Sequence, residues 1–504
     1  MTKDSLRSPP LSTTFAETHT FFEAFSELCF SDVTGILRDA RVPHILLVDI
    51  QKSLHALNES LAAHREAWRY VGVASEVKRQ ETIRTSSTIS ADVNGQRKRW
   101  RDEMKQRSQI WKERASRSAN SALFEQEEME SLTSACNIWV NRLRHTLEVV
   151  LLVAGEVSPH FPTYEHSSRL GIAHMLERQR RLGLRPSDSY LPLDGQLRKS
   201  IGGAQPAVGL MKTVYSRHGD EIDVMVEVRP YSNTSAEAVR QLTWYLSSST
   251  PLGEPETPPN TSDGYGMLTL RCLGYVDDPG NARSLILYRS PKSHPWASSP
   301  ASLHDTIAKG WNAKPSLGHR FQSARTLAAT VLDIHTSGFL HSNITPRNIS
   351  MLPRHFNDTE LSPYLVGWGV EAPHSEAPSP LEPNLYRHSS QFGRGAQTLT
   401  TEQDIYSLGV VLLEIGLWTT MSTVFAKLLE SAPRFGVKEE KATFKKVNRV
   451  ILDLAYSNDM RREMGGKYAQ VVKKCLEWSQ EDAVESMLEF RKQIVDILDV
   501  RCGL

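Results

Sequence analysis

At 504 residues the chain is too long for one ordinary domain and calls for two or three. Its 39% hydrophobic and 23% charged content is that of a soluble globular protein, and a formal net charge of +1 gives no electrostatic reason to expect nucleic acid or an acidic partner. The five cysteines (Cys29, Cys136, Cys272, Cys475, Cys502) form no C-x-x-C pair, which argues for a reducing compartment, unpaired structural thiols and no metal site.

The opening MTKDSLRSPPLSTTF lacks a basic segment followed by an apolar core, so no secretory signal is expected and residues 1–17 read as a disordered tail. Thr2 excludes N-myristoylation, and Cys502 is out of register for prenylation. The apolar stretches ILLV and VVLLVAG are too short for a membrane span, and a cytoplasmic protein is expected.

Residues 18–155 read as helix throughout. Phe21, Phe22, Phe25 and Leu28 share one stripe, as do Leu47, Ile50, Leu54, Leu57 and Leu61, and then Ile138, Leu143, Leu147 and Leu151. Several amphipathic helices without a strand signal predict a helical bundle. Within it, GQRKRWRDEMKQRSQIWKERASRS is strongly basic. Its plain reading is a solvated helix face, with Trp100, Ile110 and Trp111 turned inward and Glu103 paired to Arg107. Contact of the bundle with an anionic membrane through Arg97–Arg114 stays open as the other reading.

Residues 156–190 are punctuated by proline around one short helical run, IAHMLERQRRL, and read as a linker or brace. VGLMKTVYSRHGDEIDVMVEVRPY alternates on both sides of His-Gly-Asp and predicts a β-hairpin, and SLILYRSP predicts a further strand. Between them, PLGEPETPPNTSDGYG reads as a flexible loop, and from Leu303 onward the chain is again mostly helical. The fold class is therefore α+β, with a helical bundle, a strand-rich part (191–300) and a helix-rich part (301–504).

Three motifs in the last part give a resemblance. LAATVLDIHTSGFL leads into HSNITPRNIS, PYLVGWG follows after a short strand pair, and TEQDIYSLGVVLLEIGLW comes next. Together they resemble the protein-kinase catalytic loop H-R-D-L-x-x-x-N, the L-x-D-F-G segment and the helix D-V-Y-S-F-G-V-V-L-L-E-I. The resemblance covers roughly residues 190 to 490 and implies a two-lobed kinase-like fold, with a small β lobe and a larger α lobe. His341 and Asp404 match its structural anchors, the aspartate accepting from the backbone near the histidine.

The chemistry at the matched positions has changed. Phosphoryl transfer needs a base, a magnesium carboxylate and a lysine on the phosphates. Asn343 stands at the base position, where a neutral amide takes no proton. Ser342 replaces the arginine, Thr345 the loop lysine, Gly367 the magnesium aspartate and Trp368 the phenylalanine. Asn348 is left as the one metal-binding side chain, fewer oxygens than magnesium requires. Arg229 is the candidate at the nucleotide-lysine position, and Glu237, eight residues on, is the candidate partner in the next helix. SIGGAQPAVG has the wrong spacing for a phosphate loop, and NLYRHSSQF puts Ser389 and Ser390 where an A-P-E anchor would be.

The segments V-E-V-R, R-C-L-G-Y, N-L-Y-R-H and D-I-Y-S-L-G-V-V-L-L-E-I-G-L-W are similar to kinase-like domains of filamentous-fungal proteins. That resemblance implies a HeLo-like, prion-inhibition and propagation type of N-terminal region and a signalling role through an unknown protein partner. The expected function is a pseudokinase acting as a regulatory or scaffold module, with no certain cofactor. ATP bound without magnesium stays open. The alternative is a weak kinase that recruits a nearby carboxylate, with Asp358, Glu360 and Glu371 as candidates.

Overall fold

A computed structural model describes residues 11–30, 35–38, 41–63, 126–155, 164–181, 184–198, 210–232, 234–247, 269–290, 300–353, 361–369, 385–388, 400–431, 444–479 and 482–499. The basic stretch 97–114, the glycine cluster 200–209, the loop 251–266, Ser389 and Ser390, and Asp358, Glu360 and Glu371 all lie outside them. The chain divides into two compact units, Met1–Leu176 with Thr257–Tyr265, and Glu177–Glu256 with Gly266–Leu504. The division falls inside the expected linker.

The first unit is helical among its described residues: α1 (Leu11–Phe30), α2 (His44–Ala63), α3 (Gln126–Ala154), α4 (Tyr164–Arg169) and the start of α5 (Ala173–Arg180). α1 begins at Leu11, so the expected tail boundary at residue 17 is too late. The helical backbone extends further back than the Ser/Thr-rich composition suggested. Phe21, Phe22, Phe25 and Leu28 are buried as expected, as are Leu143, Leu147 and Leu151. On α2 the buried face is rotated from the expected one: Leu46, Ile50 and Leu57 go inside, while Leu47 and Leu54 are half-buried. The cause is polar. Asp49 is buried because its carboxylate accepts from Thr146 Oγ1 of α3 at 2.7 Å, which turns the helix to present that side.

The second unit pairs a five-stranded antiparallel sheet with helices. Its strands are β1 (Gln196–Leu197), β2 (Met211–Arg217), β3 (Asp220–Pro230), β4 (Cys272–Asp278) and β5 (Arg283–Arg289), in the order β1-β2-β3-β5-β4. β2 and β3 form the expected hairpin. Its turn residues His218 and Gly219 both have positive φ (52° and 94°), the backbone that matches the twist of a two-residue hairpin turn. The sheet has two chemically distinct faces. Tyr215, Val224, Val226, Leu285 and Leu287 form one apolar cluster. Residues of β3 at odd positions, Met225, Glu227 and Arg229, point the other way.

α6 (Ala236–Leu246) follows the hairpin, capped by Ser235, whose side chain accepts from Ala238 N. It packs on β4 and β5. After α7 (Leu303–Ala308) and α8 (Leu317–Thr336) comes the two-stranded sheet of β6 (Ile349–Pro353) and β7 (Leu361–Leu365). α9 (Thr401–Leu417), α10 (Met421–Ser431), α11 (Phe444–Ala455), α12 (Asn458–Leu476), α13 (Ala483–Phe490) and α14 (Asp496–Leu498) complete the unit. α9 is buried almost all round and meets α12 closely: a Cβ on Gly409 would sit 2.8 Å from Cys475 Cβ. Among the described residues no single helix is long and apolar enough to cross a membrane, and the bent pair α9–α10 that would pass together is mostly buried core.

Candidate functional site

The loop after α8 is held by one carboxylate. Asp404, in the first turn of α9, accepts from the backbone of His341 (2.7 Å) and Ser342 (2.8 Å) and contacts His335 Nε2 at 3.3 Å. Buried N–H groups in an irregular loop need such an acceptor, and Ser342 needs it more because its φ is +63°. His341 is fully buried and packs against Trp368 in a tilted arrangement, with ring centroids 4.8 Å apart. Burial pulls its pKa down to about 4, against the opposing influence of Asp404 and Glu227. The ring is therefore a neutral packing group at physiological pH.

The sequence-identified residues come together around residues 366–369. Asn343 Nδ2 donates to the Gly367 carbonyl at 2.8 Å, and Asn348 Nδ2 donates to the Asn343 carbonyl at 3.0 Å. Val366 N donates to the Asn348 carbonyl at 2.9 Å, and Gly369 N to that of His341 at 2.8 Å. Thr345 precedes the turn at Pro346–Asn348, its carbonyl accepting from Asn348 N at 2.9 Å. Gly367 has φ +70°, and a Cβ there would lie 2.4 Å from Asn348 Oδ1. Any side chain at this position would have to displace the Asn348 amide.

Arg229 reaches the same segment from β3. Its Nη2 donates to the Trp368 carbonyl at 2.6 Å and its guanidinium contacts Glu227 Oε1 at 2.5 Å. The expected partner Glu237 is not engaged. It is exposed on α6 and contacts Arg240 at 3.3 Å, whereas Glu227 lies two residues from Arg229 on the same strand face.

Glu227 is the residue sequence reasoning missed. Its Oε2 accepts from Tyr288 OH (3.0 Å) and from Gly367 N (3.1 Å), while Oε1 takes both guanidinium contacts. A carboxylate offers about four lone-pair directions, so this one is saturated. Burial, then the Glu227 charge, raise the Tyr288 phenol well above its usual pKa and keep it a donor. The period-two alternation of β3 was the available signal, since it places Glu227 beside Arg229. Asn348, expected to be the one metal-binding side chain here, is joined by a carboxylate at the Gly367 amide, and protein donors occupy that carboxylate.

A second missed residue is Tyr386, three positions before Ser389 of the expected anchor. Its hydroxyl donates to Glu414 Oε1 of α9 at 2.8 Å, and its carbonyl accepts from Ser407 Oγ at 2.6 Å. A phenol thus ties this segment to α9.

Chemically, the assembled groups bind one another. Asn343 spends an amide hydrogen on Gly367, Glu227 is neutralised by Arg229, and Gly367 brings no ligand. No protein-family model matches the chain, and no curated protein matches it.

Proposed function

We propose that residues 177–504 form a two-lobed, protein-kinase-like domain that performs no phosphoryl transfer and acts as a regulatory or scaffold module. In this reading the five-stranded sheet with α6 is the small lobe and α7–α14 the larger. The single observation carrying the proposal is Gly367. The position that would hold the metal has no carboxylate, and the space for one is filled by Asn348 Oδ1, 2.4 Å from where a Cβ would be. The tethering of His341 and Ser342 by Asp404 supports a retained loop scaffold, and Asn343 supports the loss of the base. Arg229 keeps a positive charge but directs it at Glu227 and the Trp368 carbonyl.

The N-terminal helices are the output element in this proposal, acting on a protein partner or an anionic membrane in a cytoplasmic, fungal-type signalling pathway. The test is phosphoryl transfer from labelled ATP by the full chain, alongside thermal-shift titration with ATP in the presence and absence of magnesium. No transfer and no magnesium-dependent shift are expected. Activity that disappears in Arg229→Ala would refute the proposal.

A second reading has Glu227 in its favour, because a carboxylate does lie at the Gly367 amide. A weak kinase would have to free Glu227 from Arg229 to hold a divalent ion. A magnesium-dependent ATP shift abolished by Glu227→Gln would select it.

A further inference from the structure

We propose that residues 177–181 and 184–193 are a staple that sets the position of the Gly367–Trp368 segment, with Arg181 and Gln179 as its positioning residues. The inference does not depend on the catalytic reading, since it concerns only how the site is held.

Helices end with carbonyls that lack intrahelical partners. Here two helices have such carbonyls taken by the same short stretch of chain. Arg181 Nη1 donates to the Trp244 carbonyl at the end of α6 and to the Ser247 carbonyl at 2.5 Å. Its other nitrogen is fixed by Glu177 at 3.0 Å, and its guanidinium lies 5.2 Å from the Trp244 ring centroid. Gln179 Nε2 donates to the Thr336 carbonyl, the last residue of α8, at 2.7 Å in a buried contact. A cation at a helix C-terminus also meets the negative end of the helix dipole.

The chain then runs along α6. The Leu184 carbonyl accepts from Gln241 at 3.0 Å, and the Ser187 and Tyr190 carbonyls accept from Arg240 at 2.7 and 3.1 Å. Leu193 N finally donates to the Tyr275 carbonyl of β4 at 2.7 Å. α6 is therefore fastened at its C-terminus by Arg181 and along one side by residues 184–190, and Gln179 also holds the helix leading into the His341 loop.

Both helix ends abut Trp368. Tyr245 of α6 meets Phe339 edge-on, with centroids 4.8 Å apart. Tyr245, Leu246, Ile334, Phe339 and Trp368 line one small cavity, together with Ser337 and Arg178 of the staple. Trp368 in turn packs against His341 and accepts from Arg229. Close-packed groups of this kind transmit displacement instead of absorbing it. Releasing the staple should therefore loosen residues 366–369, whose Trp368 borders the same cavity as Arg178 of the staple.

Hydrogen exchange on the full chain tests this. Arg181→Ala is expected to speed exchange about tenfold in residues 236–247, and also in 337–342 and 366–369, with residues 458–476 of α12 unchanged. Arg181→Lys, which keeps the charge without the two-carbonyl fork, is expected to fall between. If Arg181→Ala does not fold, Gln179→Ala and Arg181→Lys supply the same comparison. Acceleration confined to residues 177–181, 184–193 and α6 would overturn the proposal, as would a uniform rise that includes α12.

Discussion

Replacing Glu227 by leucine removes the acceptor shared by Arg229, Tyr288 and Gly367 N. The side chains of the pair are only 14% and 9% exposed, so water does not replace the lost carboxylate. Stranding one member of a buried ion pair costs about 3–5 kcal/mol, and Glu227→Leu should fall in that range. Arg229→Met leaves Glu227 with two neutral donors and should cost about 3 kcal/mol. The double variant strands no charge, so its cost should be below the sum by about 2 kcal/mol, within the range of couplings between contacting residues. Urea unfolding followed by near-UV circular dichroism of the four proteins closes this cycle. Additivity to within about 0.5 kcal/mol would refute the reasoning, because the two side chains would then be independent.

Acid sensitivity should centre on His341. The unfolded imidazole takes up a proton below about pH 6.5, the folded one only near 4. The stabilisation from a neutral ring is therefore full above pH 6.5 and is lost as pH falls toward 4, by about 3 kcal/mol in total. His341→Phe should flatten the pH dependence of urea unfolding between pH 7 and 4.5, and an unchanged slope would exclude the ring as its source. Gly367→Ala combines a left-handed φ with displacement of Asn348 and should cost about 1–3 kcal/mol in the same assay. The double variant Gly367→Asp with Asn343→Asp should still give no magnesium-dependent thermal shift with ATP, because Asn348 obstructs the new carboxylate.

Much of the second unit was legible before any coordinates. The β2–β3 hairpin followed from alternation around His218–Gly219, and α6 is the helix expected after Arg229 to carry Glu237. β4 was less visible, because Gly274, with φ +135° and a register shift beside it, breaks the alternation of CLGYVDD. The clustering of His341, Asn343, Asn348, Gly367 and Asp404 was legible as motif spacing. The pairing of Arg229 was not. The resemblance called for a carboxylate in the next helix and so pointed to Glu237, although Glu227 stands only two residues from Arg229 on the same strand face.

What the sequence determined by itself was periodicity and chemical inventory: which segments are helix or strand, and that the loop carries amides and a glycine. Those are local properties, set by spacing and residue type. Tertiary structure alone decided which face of β3 meets the Gly367 amide, which buried polar residue rotates α2, and which side chains cap the ends of α6 and α8. Each of these is a choice of partner for a buried polar group. Such choices depend on the groups that packing brings within about 3 Å, however far apart they stand in the chain.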